Sequence, residues 1–216
     1  MLQKSLPIIA FAFSLFTTAH AQINKGAVLT GTSIGYSQSK GNISSSDLKS
    51  KSFAVSPAVG IAIKENLVAG IRFDYLKNTQ KNVYGSNNTY DDEAKNYGGS
   101  LFIRRYVPLI SRLYVFGEGS ASYTNARETN TQAYYTSTNE RKIKGWSTGL
   151  HITPGISYGV CKKFLVEFGY NSLLNASYGK IKSTYNNTPE EKQESFSGGI
   201  SKDNNSMFFI AFQIIL

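Results

Sequence analysis

Residues able to carry chemistry are few in this chain. Beyond the first 21 positions there is one histidine, His151, and one cysteine, Cys161. A hydrolase or acyltransferase needs a nucleophile and a base within hydrogen-bond reach, so His151 is the candidate base. Gly149 and Thr153 share its face in an extended chain, a setting that suits an imidazole bonded to a neighbouring hydroxyl. Paired carboxylates stand at Asp91-Asp92-Glu93 and Glu190-Glu191, beside Lys95 and Lys192. Such acids can hold a divalent cation, but the spaced D-x-D-x-D-G pattern is absent, and solvated charge is the plainer reading. Cys161 cannot close an internal disulfide, and no role is assigned to its thiol. No catalytic residue, metal site or cofactor is expected, and the chain reads as a protein without enzymatic activity.

The elements that would position other charges begin after a leader. MLQKSLPIIAFAFSLFTTAHA has a cation at Lys4, an apolar core from Leu6 to Phe16, and small residues at Ala19 and Ala21. This is the pattern of a secretory signal with cleavage before Gln22; its core is shorter than the roughly 20 residues of a spanning helix. Residues 1–21 are therefore expected to be a signal peptide and 22–216 a single domain. No later apolar run is long enough for a transmembrane helix.

Period-2 alternation marks eight strands, near Gly26–Ser39, Lys51–Lys64, Leu67–Lys77, Lys95–Val107, Leu113–Ala126, Lys142–Val160, Phe164–Gly179 and Asn204–Leu216. Helical stripes are nearly absent, apart from one possible turn at Glu190–Glu194. Each strand separates into two faces. On the third, Leu67, Ala69, Ile71, Phe73 and Tyr75 oppose Val68, Gly70, Arg72 and Asp74; on the seventh, Phe164, Val166, Phe168 and Tyr170 oppose Leu165, Glu167, Gly169 and Asn171. A soluble sandwich would carry Lys, Glu and Thr on its wet face. Here the second face is rich in Gly, Ala and Ser with charges of both signs, which suits a narrow lumen. The bulky face suits lipid.

The fold class expected is all-β: an eight-stranded, antiparallel, up-and-down transmembrane β-barrel. Short connections at Glu65-Asn66, Pro108–Arg112 and Cys161–Lys163 alternate with long ones at Lys40–Ser50, Asn78–Ala94, Arg127–Arg141 and Lys180–Asp203. The long ones, rich in Asn, Ser, Thr and Tyr, read as loops at one end of the barrel. In SMFFIAFQIIL, Phe208, Ile210, Phe212, Ile214 and Leu216 alternate with Met207, Phe209, Ala211, Gln213 and Ile215. A closing strand of this kind is expected to pair with the first strand, because open edges are not tolerated in hydrocarbon, and Gln213 is expected to face the lumen.

With leader, eight alternating strands and this terminal strand together, the chain resembles the small outer-membrane β-barrels typified by the barrel of outer-membrane protein A and by protein X, in the form common in Bacteroidetes. The resemblance covers residues 23–216. It implies outer-membrane localisation in a Gram-negative bacterium and recognition of the last strand by the barrel-assembly machinery, although Leu216 stands where the family usually has an aromatic. No peptidoglycan-binding tail is expected after the barrel.

Arg72, Asp74, Arg104, Glu118 and Glu167 all fall on inward positions. The plain reading is a salt-bridged plug in a lumen wide enough only for its own side chains; the alternative is a small porin-like path or carrier for ions or a hydrophobic ligand. The formal net charge of +9 could suggest nucleic acid. Its cations are scattered, however, with no basic stripe among aromatics, and nucleic acid is not an expected partner. Loop and rim cations beside lipopolysaccharide phosphates and outer-membrane lipid are expected instead, with a structural or surface-interaction role for the four long loops towards an unknown partner.

Overall fold

Alternation of bulky and small residues favours strands, and strands in a membrane must close. The computed structural model describes residues 23–43, 46–84, 88–134, 137–170, 172–186, 188–200 and 208–216. The expected signal peptide lies outside the described residues. Among the described residues there are ten strands: β1 Val28–Ile43, β2 Ser46–Lys64, β3 Leu67–Tyr84, β4 Asn88–Ile110, β5 Leu113–Tyr134, β6 Ser137–Cys161, β7 Phe164–Tyr170, β8 Leu174–Tyr185, β9 Glu191–Ile200 and β10 Phe208–Ile215.

They fill eight positions of an antiparallel ring. β1 to β6 pair in sequence order. The lower part of β6 pairs with β7 and its upper part with β8, so β7 and β8 share the seventh position. β10 pairs with β7, β9 with β8, and β10 with β1 from Leu29↔Ile215 to Ile34↔Ile210. That last ladder closes the ring, as the alternation of the terminal segment requires. Above it, among the described residues, β9 has no partner on its far edge. The first part of the expected eighth strand, residues 204–207, lies outside the described residues.

All four of the expected long loops are largely strand, the fourth through the upper part of β8 and through β9. β1 and β2 continue as a ladder to Ile43↔Ser46, β3 and β4 to Tyr84↔Asn88, and β5 and β6 to Tyr134↔Ser137. Polar composition disguises the alternation there: Lys77, Thr79 and Lys81 continue the outer face while Asn78, Gln80 and Asn82 continue the inner one. Opposite charges meet across the ladder, as at Lys81↔Asp91. The possible helical turn at Glu190–Glu194 is likewise extended chain, because pairing of β9 with β8 sets Glu194 opposite Lys180. The short connections fall where expected, with Asn66 turning at φ 57°.

The outer surface has a belt and two borders. Phe73, Phe168 and Phe212 are 51 %, 45 % and 41 % exposed, with Ile71, Leu101, Ile103, Leu150 and Ile152 also on the outside. On β3 the belt runs from Leu67 to Tyr75, about 27 Å at roughly 3.4 Å per residue. Projected through a strand tilt of ~40°, this spans about 21 Å, against the roughly 25 Å apolar band of membrane barrels. At its upper border Tyr75 faces Tyr97 across the ladder, while Trp146 stacks on Tyr123 at 6.1 Å and meets Tyr178 edge-on at 5.9 Å. Such rings suit a membrane interface. Just above, the same face turns ionic: Lys95 pairs with Glu93, and Lys180 with Glu194.

Candidate functional site

Parity decides what the lumen contains. Arg104 and Glu118 are paired across β4 and β5 and point inward, so Phe102, Tyr106, Tyr114 and Phe116 must point inward as well. All four are buried, in a cluster with Ile23, Leu29, Val68 and Leu165. These inward aromatics were not singled out from sequence, although the parity of Arg104 and Glu118 contains the signal. Glycine gives them room. A Cβ on Gly155, directly across from Phe116, would overlap its ring, and one on Gly70 would come within 2.6 Å of the Phe102 ring.

The lower mouth is closed by the segment preceding β1. The Ile23 amide donates to Asn66 Oδ1 at 2.9 Å, the Asn66 amide donates to the Ile23 carbonyl at 3.0 Å, and the Tyr106 amide donates to the Asn66 carbonyl at 2.8 Å. This seats the Ile23 side chain in the barrel floor.

Above the aromatic floor lies the ionic cluster. Arg104, Glu118 and Glu167 are only 4 %, 1 % and 0 % exposed. Arg104 donates through Nε at 2.9 Å and Nη2 at 2.6 Å to Glu118 Oε2, and through Nη1 at 2.6 Å to Glu167 Oε2. The Tyr106 hydroxyl donates to Glu167 Oε1 at 2.6 Å and accepts from Arg104 Nη1 at 3.1 Å. Arg72 donates to both oxygens of Glu118 at 2.8 Å. Gln213 reaches Glu167 at 3.5 Å, from the inward position expected of it. Rings of Phe116 and Phe102 lie 4.6 and 5.6 Å from the Arg104 guanidinium, adding cation–π attraction. The cluster therefore joins four of the five inward charges read from sequence. Asp74 faces the lumen too, but opposite Gly98, and it forms no ion pair among the described residues.

His151 lies higher on the inner wall between two hydroxyls, Ser122 Oγ at 2.9 Å from Nε2 and Ser172 Oγ at 2.6 Å from Nδ1. Ser172 marks the break between β7 and β8, takes φ 52° and donates its amide to Thr153 Oγ1 at 3.4 Å. The imidazole thus ties the break to β5 and β6. Both ring nitrogens are occupied, as the expected hydroxyl-bonded histidine requires. Among the described residues no group of three His, Cys, Asp or Glu could hold a metal, and Cys161 is exposed with a free thiol.

The acids read as solvated charge are sorted by alternation. Asp91 and Glu93 point outward; Glu93 lies 2.5 Å from Lys95 and 3.4 Å from Lys77, and Asp91 lies 3.2 Å from Lys81. The hydrogen bond from Lys95 holds the Glu93 carboxyl below its ordinary range. Lys182 lowers Glu190 in the same way. Asp92 points inward, where burial first and the Glu128 charge second push it up.

No family model matches the chain, and no curated protein matches it by sequence. Among solved structures it is similar to a major outer membrane protein of Thermus thermophilus, with a TM-score of 0.47 and 8 % identity over 89 % of this chain and 100 % of that one. It is also similar to the outer membrane protein OprG of Pseudomonas aeruginosa, with a TM-score of 0.42 and 8 % identity over 89 % and 97 % of the two chains.

Proposed function

We propose that this protein is a non-enzymatic barrel of a bacterial outer membrane that presents its upper hairpins to the surroundings while its lumen stays shut. The observation that carries this reading is the neutral cluster of Arg72, Arg104, Glu118 and Glu167 across the lumen, seated on an aromatic floor. Each cation in it has a carboxylate partner, so displacing any member would leave a charge uncompensated in a low dielectric. The apolar belt with aromatic and ionic borders supports residence in a bilayer. The resemblance to small outer-membrane barrels, the leader and closure by strands support the outer membrane in particular, with the assembly machinery acting on β10. Cations of the upper ionic border, such as Lys77, Lys95 and Lys180, are suited to lipopolysaccharide phosphates. Single-channel recording after reconstitution tests the reading: no stable conductance steps are expected, whereas regular openings would favour a porin-like role.

A further inference from the structure

The upper end of the lumen differs from the plug in chemistry. There the inward faces of β4, β5, β6 and β8, with residues 188–191, enclose a cavity of about 550 Å³, within the roughly 300–1,000 Å³ usual for small-molecule sites. Its wall includes Asn130, Gln132, Asn139, Arg141, Tyr90 and Tyr185. Amides and hydroxyls thus surround the space, with the carboxylate of Glu191 and the guanidinium of Arg141 as the two charged groups of the wall.

A second observation concerns hydrogen bonds left unmade. Asn82 is 9 % exposed and stands in register with Tyr90. Its amide nitrogen donates to the Tyr84 hydroxyl at 3.3 Å, but its Oδ1 is buried without a partner. Asn130 repeats the pattern: its nitrogen donates to Glu128 at 3.0 Å and its Oδ1 is buried and unpaired. Asp92, in register with Asn130, and Asn88, across from Tyr84, each have an unpaired Oδ1 as well. Unpaired buried acceptors are costly and call for an explanation. Asn130 lines the cavity, and Asn82, Asn88 and Asp92 flank it on inward positions of β3 and β4, so acceptors in want of donors gather at this end of the lumen.

We infer that the upper mouth of the barrel is a binding site for a neutral, polyhydroxylated ligand, a short saccharide. Sugar hydroxyls donate to amide and carboxylate oxygens and accept from Arg141 and the amide nitrogens, so one guest answers both halves of the wall. An anion would meet Glu191 at the wall, with Asp92 and Glu128 on neighbouring inward positions of β4 and β5; a divalent cation would meet Arg141 and lacks a cluster of three acidic or histidine ligands among the described residues. The tyrosine rings give a sugar's C–H face an apolar surface. The inference rests on the surface-interaction reading and narrows it to a ligand class.

The test uses the full mature chain refolded in a sugar-free detergent, dimethyldodecylamine oxide, with folding checked by compact gel migration before boiling. Saturation-transfer NMR with maltotriose, cellotriose and triacetylchitotriose is expected to show transfer to ring protons of at least one of them. Asn130→Ala and Gln132→Ala should each weaken that sugar about fivefold, the loss of roughly one hydrogen bond. If either variant fails to fold, Asn139→Ala gives the same readout. Asp92→Asn keeps an acceptor and should change affinity less than twofold, and calcium chloride should not displace the sugar. Absence of transfer from all three sugars overturns the inference. So does indifference to the wall variants, or displacement by calcium together with loss in Asp92→Asn, which would assign a cation site. These failures would leave the shut lumen untouched, because that is read from conductance.

Discussion

At the scale of single residues, Glu167 is among the most tightly held of the described side chains. It accepts from Arg104 and Tyr106 and has no measurable exposure. Glu167→Leu would leave the cluster with one cation in excess, and breaking a buried ion pair from one side costs about 3–5 kcal/mol. Chemical unfolding in micelles should show a loss of that size; a loss below about 1 kcal/mol would mean that water reaches the cluster. The outer ion pairs behave differently, because they are solvated and salt-screened. Glu93, bonded to Lys95 and Lys77, titrates below its ordinary value. A carboxylate with a depressed folded pKa stabilises above the unfolded value, near 4.3, and that contribution disappears as pH falls through the folded value. The upper β3–β4 hairpin should therefore keep this small support at pH 5 and lose it only in more acid solution. Side-chain and amide NMR shifts between pH 6 and pH 3 check this, and a midpoint for Glu93 at or above the ordinary glutamate value, near 4.3, would contradict it. Asp92, pushed up by burial, has the opposite sign: its protonation relieves a cost instead of removing a support.

At the scale of strands, the barrel depends on where glycine sits. Gly155 and Phe116 face each other across β5 and β6, and the ring occupies the space a side chain at 155 would take. Gly155→Val should force the ring aside and destabilise the barrel by about 1–3 kcal/mol, the usual cost of overpacking. A lowered temperature for the change from compact to unfolded gel migration would register it, and an unchanged temperature would show that Phe116 has room to turn. Strands were legible in sequence where bulky and small residues alternate, as in Leu67–Tyr75. They were not legible where both faces are polar, as along Lys77–Tyr84, since alternation of Lys and Thr with Asn and Gln carries no hydropathy signal. The charge cluster was legible from parity alone, except that Asp74 stays outside it. The break after Tyr170 was hidden, because it depends on Ser172 meeting His151 and Thr153 of the neighbouring strand β6, side-chain contacts that hydropathy alternation does not encode.

At the scale of the whole molecule, side-chain direction organises the barrel: an apolar belt outward, the Arg72–Arg104–Glu118–Glu167 cluster enclosed on its aromatic floor, polar amides gathered at the upper mouth. Spin labels test it most directly. In a chain carrying Cys161→Ser, cysteines are introduced singly by Phe73→Cys, Phe168→Cys and Ala54→Cys, labelled, and reconstituted into lipid vesicles. Labels at 73 and 168 should collide freely with dissolved oxygen and be shielded from a water-soluble nickel chelate, as in hydrocarbon, while the label at 54 on the inner face should show little oxygen contact. Nickel contact at 73 and 168 matching that of a solvated surface would contradict the outward, lipid-facing placement of these side chains.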